Sequence, residues 1–431
     1  MARSGAGVVA MTALCVLMLV PSVAGAAPQD PSGDVPEYRM GEDSRPVHGT
    51  SSSTDGPVLD PGTYTDTLTA GDKKYYRVKL DAKSNAFVST VLAPPPEVKV
   101  GLMDGIRVSL ESPDGTECSS GDLVVFASNT ARPIAGYGTR SIQANGPCQS
   151  AGEYLYTVER VGSANSDSDS EAWPIELKYM SEPGLKADAV APEAPTKWSS
   201  QAPVPPKTAA KPVTGGTGFN DAAPVGDGAW KDEVRPGESR FYKVPVGWGQ
   251  QLFVDAEMAN AGTGQQPFVV DGVRMALYNT ARGLADSVQT QYSGKPSALE
   301  LGTAPVAFSN RFAAKSQAVS ALRFSGWYYV QLTLDRQVAQ SVPMTLSVSV
   351  EGDEQSGPEY DGDAVKAGFG ISDADKEAVR GGDESLAMQT IGFTGISIGT
   401  FLLLSLGMWT LVAHRRATTA RTTPWRVPGS D

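Results

Sequence analysis

The chain has 431 residues, with 48 acidic against 36 basic side chains, a formal charge of −12, two histidines and three cysteines. That acidity argues against nucleic acid or anionic lipid as a partner. The scarcity of histidine removes the commonest general base and metal ligand from the middle of the chain, because the two are His48 and His414.

The elements follow in chain order. Arg3, the apolar run from Val8 to Val20 and the small residues Ala24-Gly25-Ala26 lay out a secretory signal peptide over 1–26. Leu14 stands before Cys15 where a lipidation signal wants a small residue, so a lipid anchor is not expected there. Residues 27–56 are polar and predicted to be disordered. Over 57–182, Tyr64, Asp66 and Leu68, then Tyr76, Val78 and Leu80, alternate with polar neighbours around the turn Ala70-Gly71-Asp72. Further strands are predicted at Ala86 to Leu92, Ile106 to Leu110 and Tyr154 to Val158. A stretch rich in Pro, Ala, Thr and Gly, 183–218, reads as a semi-stiff linker. Over 219–351, strands are predicted at Leu252 to Glu257, Val273 to Tyr278, Trp327 to Leu334 and Met344 to Val350. An acidic stretch, 352–388, reads as a stalk, with Ser372 and Asp375 spaced to cap a short helix.

The segment 389–413 is predicted to be a membrane helix. Ile391 to Ala413 carries no charge, and at ~1.5 Å per residue it reaches ~34 Å, enough for a ~30 Å hydrocarbon core. His414, Arg415, Arg416, Arg421 and Arg426 follow, so 414–431 is the cytoplasmic tail and the bulk of the chain lies outside. Export leaves Cys118 and Cys148 as the only cysteines of the mature chain. Two such cysteines predict one disulfide, a free reactive pair being the alternative.

An internal repeat organises the region outside. Gly62 to Val78 aligns without a gap on Gly228 to Val244, every position offset by 166, with Tyr75-Tyr76-Arg77-Val78 facing Phe241-Tyr242-Lys243-Val244. Asp104-Gly105-Ile106 then faces Asp271-Gly272-Val273, and Gly152-Glu153-Tyr154 faces Gly326-Trp327-Tyr328. Insertions collect in the middle of the unit, as loops on a shared scaffold do. The fold class expected is all-β: two tandem antiparallel, jelly-roll-like β-sandwiches plus one C-terminal transmembrane helix.

Gly62-Thr63-Tyr64, Gly71-Asp72 followed by Tyr75-Tyr76, Val108 through Pro113-Asp114-Gly115 and the terminal Gly152-Glu153-Tyr154 together resemble the bacterial pre-peptidase C-terminal domain. That resemblance implies a small β-sandwich, appended to secreted enzymes or surface proteins and not itself catalytic. The second copy departs from it at Asn279-Thr280-Ala281-Arg282-Gly283, where the Pro-Asp-Gly turn is lost. No peptidase domain precedes either copy, so the appendage role does not carry over directly.

Chemistry is sparse. There is no P-loop and no Gly-x-Gly-x-x-Gly opening a helix. Ser-His-Asp, Cys-His and histidine-zinc sites are excluded from the repeats, while a paired-carboxylate site is left open. Asp167, Asp169 and Glu171 alternate in a polar run and are the candidate calcium ligands, though the glycine and distal glutamate of a helix-loop-helix site are missing. No other cofactor is expected. Trp248, between Gly247 and Gly249, and the outward member of each aromatic pair, with Tyr76 and Tyr242 as candidates, are the proposed contact residues.

The reading is a bacterial, non-enzymatic, single-pass plasma-membrane protein, anchored through Ile391 to Ala413. It displays two binding or structural modules toward another envelope protein or cell-wall glycan. The alternatives are an assembly or signalling subunit acting through its membrane segment and, third, a carboxylate-dependent hydrolase of envelope polymers.

Overall fold

Strand β4 (Lys73–Leu80) shows why the chain becomes sheet: Tyr76, Val78 and Leu80 are buried while Lys73 and Lys79 face solvent, the period-two pattern of a half-covered strand. The computed structural model describes residues 34–119, 122–162, 171–204, 209–261, 267–313 and 316–380. The chain divides into two compact units, Met1–Asp34 and Val35–Asp431, and all that follows concerns the second. The expected signal peptide (1–26), the segment Ile391 to Ala413, the tail 414–431, and Asp167 and Asp169 lie outside the described residues. Among the described residues no helix is long and apolar enough to cross a membrane.

The first sandwich holds β1 (Arg45–Pro46), β2 (Val58–Leu59), β3 (Gly62–Leu68), β4, β5 (Asn85–Leu92), β6 (Gly105–Glu111), β7 (Asp122–Val125), β8 (Ile134–Arg140), β9 (Gly152–Val161) and β10 (Trp173–Glu182). One sheet runs β1-β3-β10-β5-β8 and the other β2-β4-β9-β6-β7. The second sandwich holds β11 (Lys211–Pro212), β12 (Ala223–Pro224), β13 (Gly228–Val234), β14 (Ser239–Val246), β15 (Gln251–Met258), β16 (Val269–Tyr278), β17 (Leu284–Tyr292), β18 (Ser297–Gly302), β19 (Gly326–Leu334) and β20 (Val342–Glu351). Its sheets run β11-β13-β20-β15-β18 and β12-β14-β19-β16-β17, the same order strand for strand. The repeat in the sequence is therefore a repeat of topology. Each sandwich has its own apolar core, the first around Tyr76, Val88 and Trp173, the second around Tyr242, Val254 and Leu346.

Three expected boundaries are corrected. Part of the N-terminal stretch expected to be disordered, and part of the linker, is built into the sheets. β1 and β11 add as short parallel strands to β3 and β13, and β2 and β12 add likewise to β4 and β14. The cause is an aspartate that needs donors. Asp66 accepts from the Gly49 N–H at 2.7 Å and the Tyr76 hydroxyl at 2.8 Å; Asp232 accepts from the Gly215 N–H at 2.8 Å and the Tyr242 hydroxyl at 2.7 Å. Arg45 lies over the Tyr64 ring as Lys211 lies over Trp230. The repeat thus begins upstream of 57 and 219, at Arg45-Pro46-Val47 and Lys211-Pro212-Val213.

The third correction is the stalk, which folds back along the sandwiches. Leu185 bridges Tyr360, Phe369 is buried, and residues 373–380 form a helix capped as its sequence predicts, with Ser372 and Asp375 exchanging hydrogen bonds. Apolar side chains in the acidic run and open backbone groups at 184–186 explain the docking.

The two sandwiches stack. All eight residues of β5 are buried, because Ala86, Val88 and Leu92 enter the core while Phe87 and Val91 pack outward against the other sandwich. The covering face comes from β14, β16 and β19, through Phe241, Ala276, Tyr278 and Tyr329. On β10, Ile175, Leu177 and Tyr179 point into the core; Glu176, Lys178, Met180 and Glu182 point into the seam. The counterpart of that face in the second sandwich, along β20, carries Thr345, Ser347 and Ser349; among the described residues no further sheet packs on it, but 202–204 lie against Ser347, Ser349 and Phe253 and leave it only partly exposed.

Candidate functional site

The seam is where the charged chemistry of the molecule converges. The Glu176 carboxylate, fully buried, accepts from Arg282 Nη1 at 2.6 Å, the Tyr38 hydroxyl at 2.6 Å, the Gly41 N–H at 2.7 Å and Asn220 Nδ2 at 2.9 Å. Burial alone would raise its pKa; Arg282, then Tyr38 and Gly41, outweigh it and hold the carboxyl below the ordinary range. Burial, with Glu176 opposite, pushes the Tyr38 hydroxyl well up, so it stays a donor. Arg282 sits in the altered turn of the second repeat, with φ 64°, and its Nη2 donates to Asn220 Oδ1 at 2.8 Å.

Six residues along β10, Glu182 repeats the arrangement. Arg311 donates to both its oxygens at 2.8 and 2.9 Å, Tyr360 at 2.7 Å and Asn85 at 2.7 Å, and both members of the ion pair are fully buried. Each carboxylate thus takes one guanidinium from the other sandwich and a tyrosine hydroxyl from a segment outside the strands, and Glu182 also takes Asn85 from the neighbouring strand β5. Between them Lys178 is only partly exposed. Burial and then Arg282 bring its pKa down to about 7. Facing it, Lys243 lies 4.7 Å from the centre of the Trp327 ring, whose Nε1 donates to Asp375 at 2.9 Å. Beside the Glu176 pair a groove of about 420 Å³ opens, lined by Arg39, Glu42, Asp43, Ser44, Thr63 and Asp221 among others. No group of three potential metal ligands is found among the described residues.

The residues singled out in the sequence fall elsewhere. Tyr76 and Tyr242 are not contact residues: both are fully buried and spend their hydroxyls on Asp66 and Asp232. In each aromatic pair the inward member is the one chosen, and the outward member of the second pair, Phe241, is consumed by the seam. Trp248 is partly buried against the second core, and its carbonyl accepts from the Gln355 N–H at 2.8 Å. Glu171 is exposed and uses its backbone carbonyl to accept from Arg160 at 2.7 Å. Cys118 and Cys148 form the expected disulfide, Cα atoms 5.5 Å apart. The seam residues themselves were missed. Their signal was alternation with the wrong polarity: Glu176, Lys178 and Glu182 flank apolar residues in a strand whose both faces are covered.

No family model matches the chain and no curated protein matches it. Among solved structures it is similar to the CUB1-EGF-CUB2 domain of human MASP-1/3, at 6% identity over 67% of this chain and 99% of that one, TM-score 0.16. It is also similar to the ANXUR2 extracellular domain from Arabidopsis thaliana, at 8% identity over 69% and 86%, TM-score 0.18. The CBM22-1-CBM22-2 tandem of Paenibacillus barcinonensis Xyn10C gives 10% identity over 77% and 100%, TM-score 0.17. Likenesses this faint carry no argument, and the β-sandwich architecture rests on the sheets of this chain.

Proposed function

We propose that this chain is a non-enzymatic cell-envelope protein whose two sandwiches, related to the pre-peptidase C-terminal type, act as one rigid binding or structural body outside the membrane. In this reading Ile391 to Ala413 is the anchor and the partner is another envelope protein. The observation that carries it is the pair of buried Glu–Arg bridges across the seam. Flexible tandem modules need no such pairs, and burying charges to fix an orientation serves a protein that presents a surface in a defined geometry. Each seam carboxylate is met by several donors, which suits a structural role better than a catalytic one.

The test is crosslinking of the full-length protein in intact cells, followed by recovery and mass spectrometry. One envelope protein recovered in near-stoichiometric amount supports the accessory reading. Recovery of cell-wall fragments alone, or of nothing, removes the protein partner. Exchange of residues 389–413 for an unrelated membrane helix separates the two readings of the anchor: function survives if the outer body does the work and is lost if the membrane segment does.

A further inference from the structure

The part of the acidic segment that folds back, 355–371, is held by few contacts, and they are spread over both sandwiches. Gln355 pairs with the Trp248 carbonyl, and Gly357 lies so close to the Trp248 indole that a Cβ would not fit. Lys186 N–H donates to the Glu359 carbonyl at 2.9 Å and Asp361 N–H to the Gly184 carbonyl at 2.7 Å, around the Leu185–Tyr360 bridge. Tyr360 sits edge-on to Phe308 and donates to Glu182. Phe369, 1% exposed, completes a three-ring cluster with Phe87 of the first sandwich and Phe324 of the second, whose ring centres lie 4.7 Å from each other and 5.7 and 5.0 Å from its own. Gly368, at φ 91°, supplies the left-handed turn that aims it.

Pro358 and Ala364 are buried too, Ala364 in the cluster of Phe87, Phe324 and Phe369, and the rest of the segment is more open. Glu359, Asp361, Asp363, Val365 and Lys366 are exposed, and its ion pairs, Lys186–Glu359 and Lys83–Asp361, are solvent-facing and so weak. A segment with a few buried anchors and open flanks opens at lower free energy than the strands it covers. We propose that 355–371 is a releasable strap, an internal cover that shields Trp248, Phe308, Phe324 and Phe87 and lifts as a unit while both sandwiches stay folded. Phe369 is its pin: without it the two hydrogen bonds at 184–186 and the Tyr360 contact do not hold. Lifting the strap takes one donor from Glu182 but leaves the Arg311 pair in place, so the seam survives. This inference is independent of whether 391–413 crosses a membrane.

Hydrogen exchange of the full-length protein, in nanodiscs, tests it with two variants. Phe369→Ala should speed exchange of the amides in 357–371 and of Lys186 on the order of 100-fold, with those of β9 and β14 unchanged. The double variant Lys186→Cys with Glu359→Cys replaces two exposed side chains at directly opposed positions, where Cα atoms ~5.5 Å apart accept a disulfide. Oxidised, it should suppress strap exchange; reduced, it should restore it. An apolar dye should bind the Phe369→Ala protein and not the oxidised one. If the strap amides of the unaltered protein exchange no faster than those of β9, or if Phe369→Ala opens β9 and β14 together with the strap, the strap is not an independent unit and the proposal fails.

Discussion

Glu176 and Arg282 meet at 2.6 Å, 106 residues apart in sequence, and neither side chain is more than 2% exposed. Replacing Arg282 by Ala leaves a buried carboxylate with only neutral donors. The expected loss is about 3–5 kcal/mol, read as a lower denaturant midpoint. Restoring balance with Glu176→Gln in the same chain should recover part of it, since the uncompensated charge is then gone. Full stability of the single variant would show that the pair does not hold the seam.

Lys178 gives the seam a pH dependence of known sign. Its folded pKa is about 7, below the ~10.4 of an unfolded lysine. Between those values the unfolded chain binds more protons than the folded one, so stability rises as pH increases from about 7 to about 10. Glu176, whose pKa is depressed, acts at the other end: its contribution is present above the unfolded value near ~4.3 and is lost as pH falls through the lower folded one. Lys178→Met should flatten the alkaline rise and raise stability at neutral pH, while leaving the acid limb. Denaturation midpoints at pH 3 to 10, in single steps, read both.

The Tyr–Asp locks occur once per sandwich and should behave alike. Tyr76→Phe and Tyr242→Phe each remove one hydroxyl donating to a carboxylate, worth roughly 1.5–3 kcal/mol. Near-additivity of the two in a double variant is expected, because the residues stand in separate cores. A strong departure would mean that the two sites are energetically coupled across the seam.

The disulfide closes a loop whose ends are 30 positions apart. Exchanging both cysteines for Ser should lower stability by about 3–4 kcal/mol in the chain-entropy picture. The loss should fall on the first sandwich, seen as earlier exchange in β6 and β9 than in β16 and β19.

The frame of the fold was legible because it is local. Gly62 to Val78 and its copy at 228–244 state strand, turn and strand in alternation, and the common strand order follows from that repeat. The capped helix at 373 was likewise visible in Ser372 and Asp375. What was not legible is long-range. Gly49 and Gly215 look like punctuation in polar stretches, and only the positions of Asp66 and Asp232 in the fold turn them into strand neighbours. Phe369 in an acidic run carries no period. Tyr76 and Tyr242 were assigned to the wrong face, although Val78 and Leu80, like Val244 and Val246, already set the phase of the alternation. Glu176 and Glu182 lie in a strand covered on both sides, and nothing local distinguishes a carboxylate facing water from one facing Arg282 or Arg311.

The outer face along β20 has a consequence for assembly. The two sandwiches share a strand order, and they stack through non-equivalent faces. Such a head-to-tail contact would, if repeated, have no end: each added copy offers the face that accepts the next. Where β10 presents Glu176, Lys178, Met180 and Glu182 to a neighbour, β20 carries Thr345, Ser347, Ser349 and Glu351, partly overlain by 202–204, and the position of Val91 in β5 is taken by Glu257 in β15. A third sandwich stacked in the same way would meet a polar strand face and the chain's own segment 202–204 in place of the surface that β5 and β10 offer.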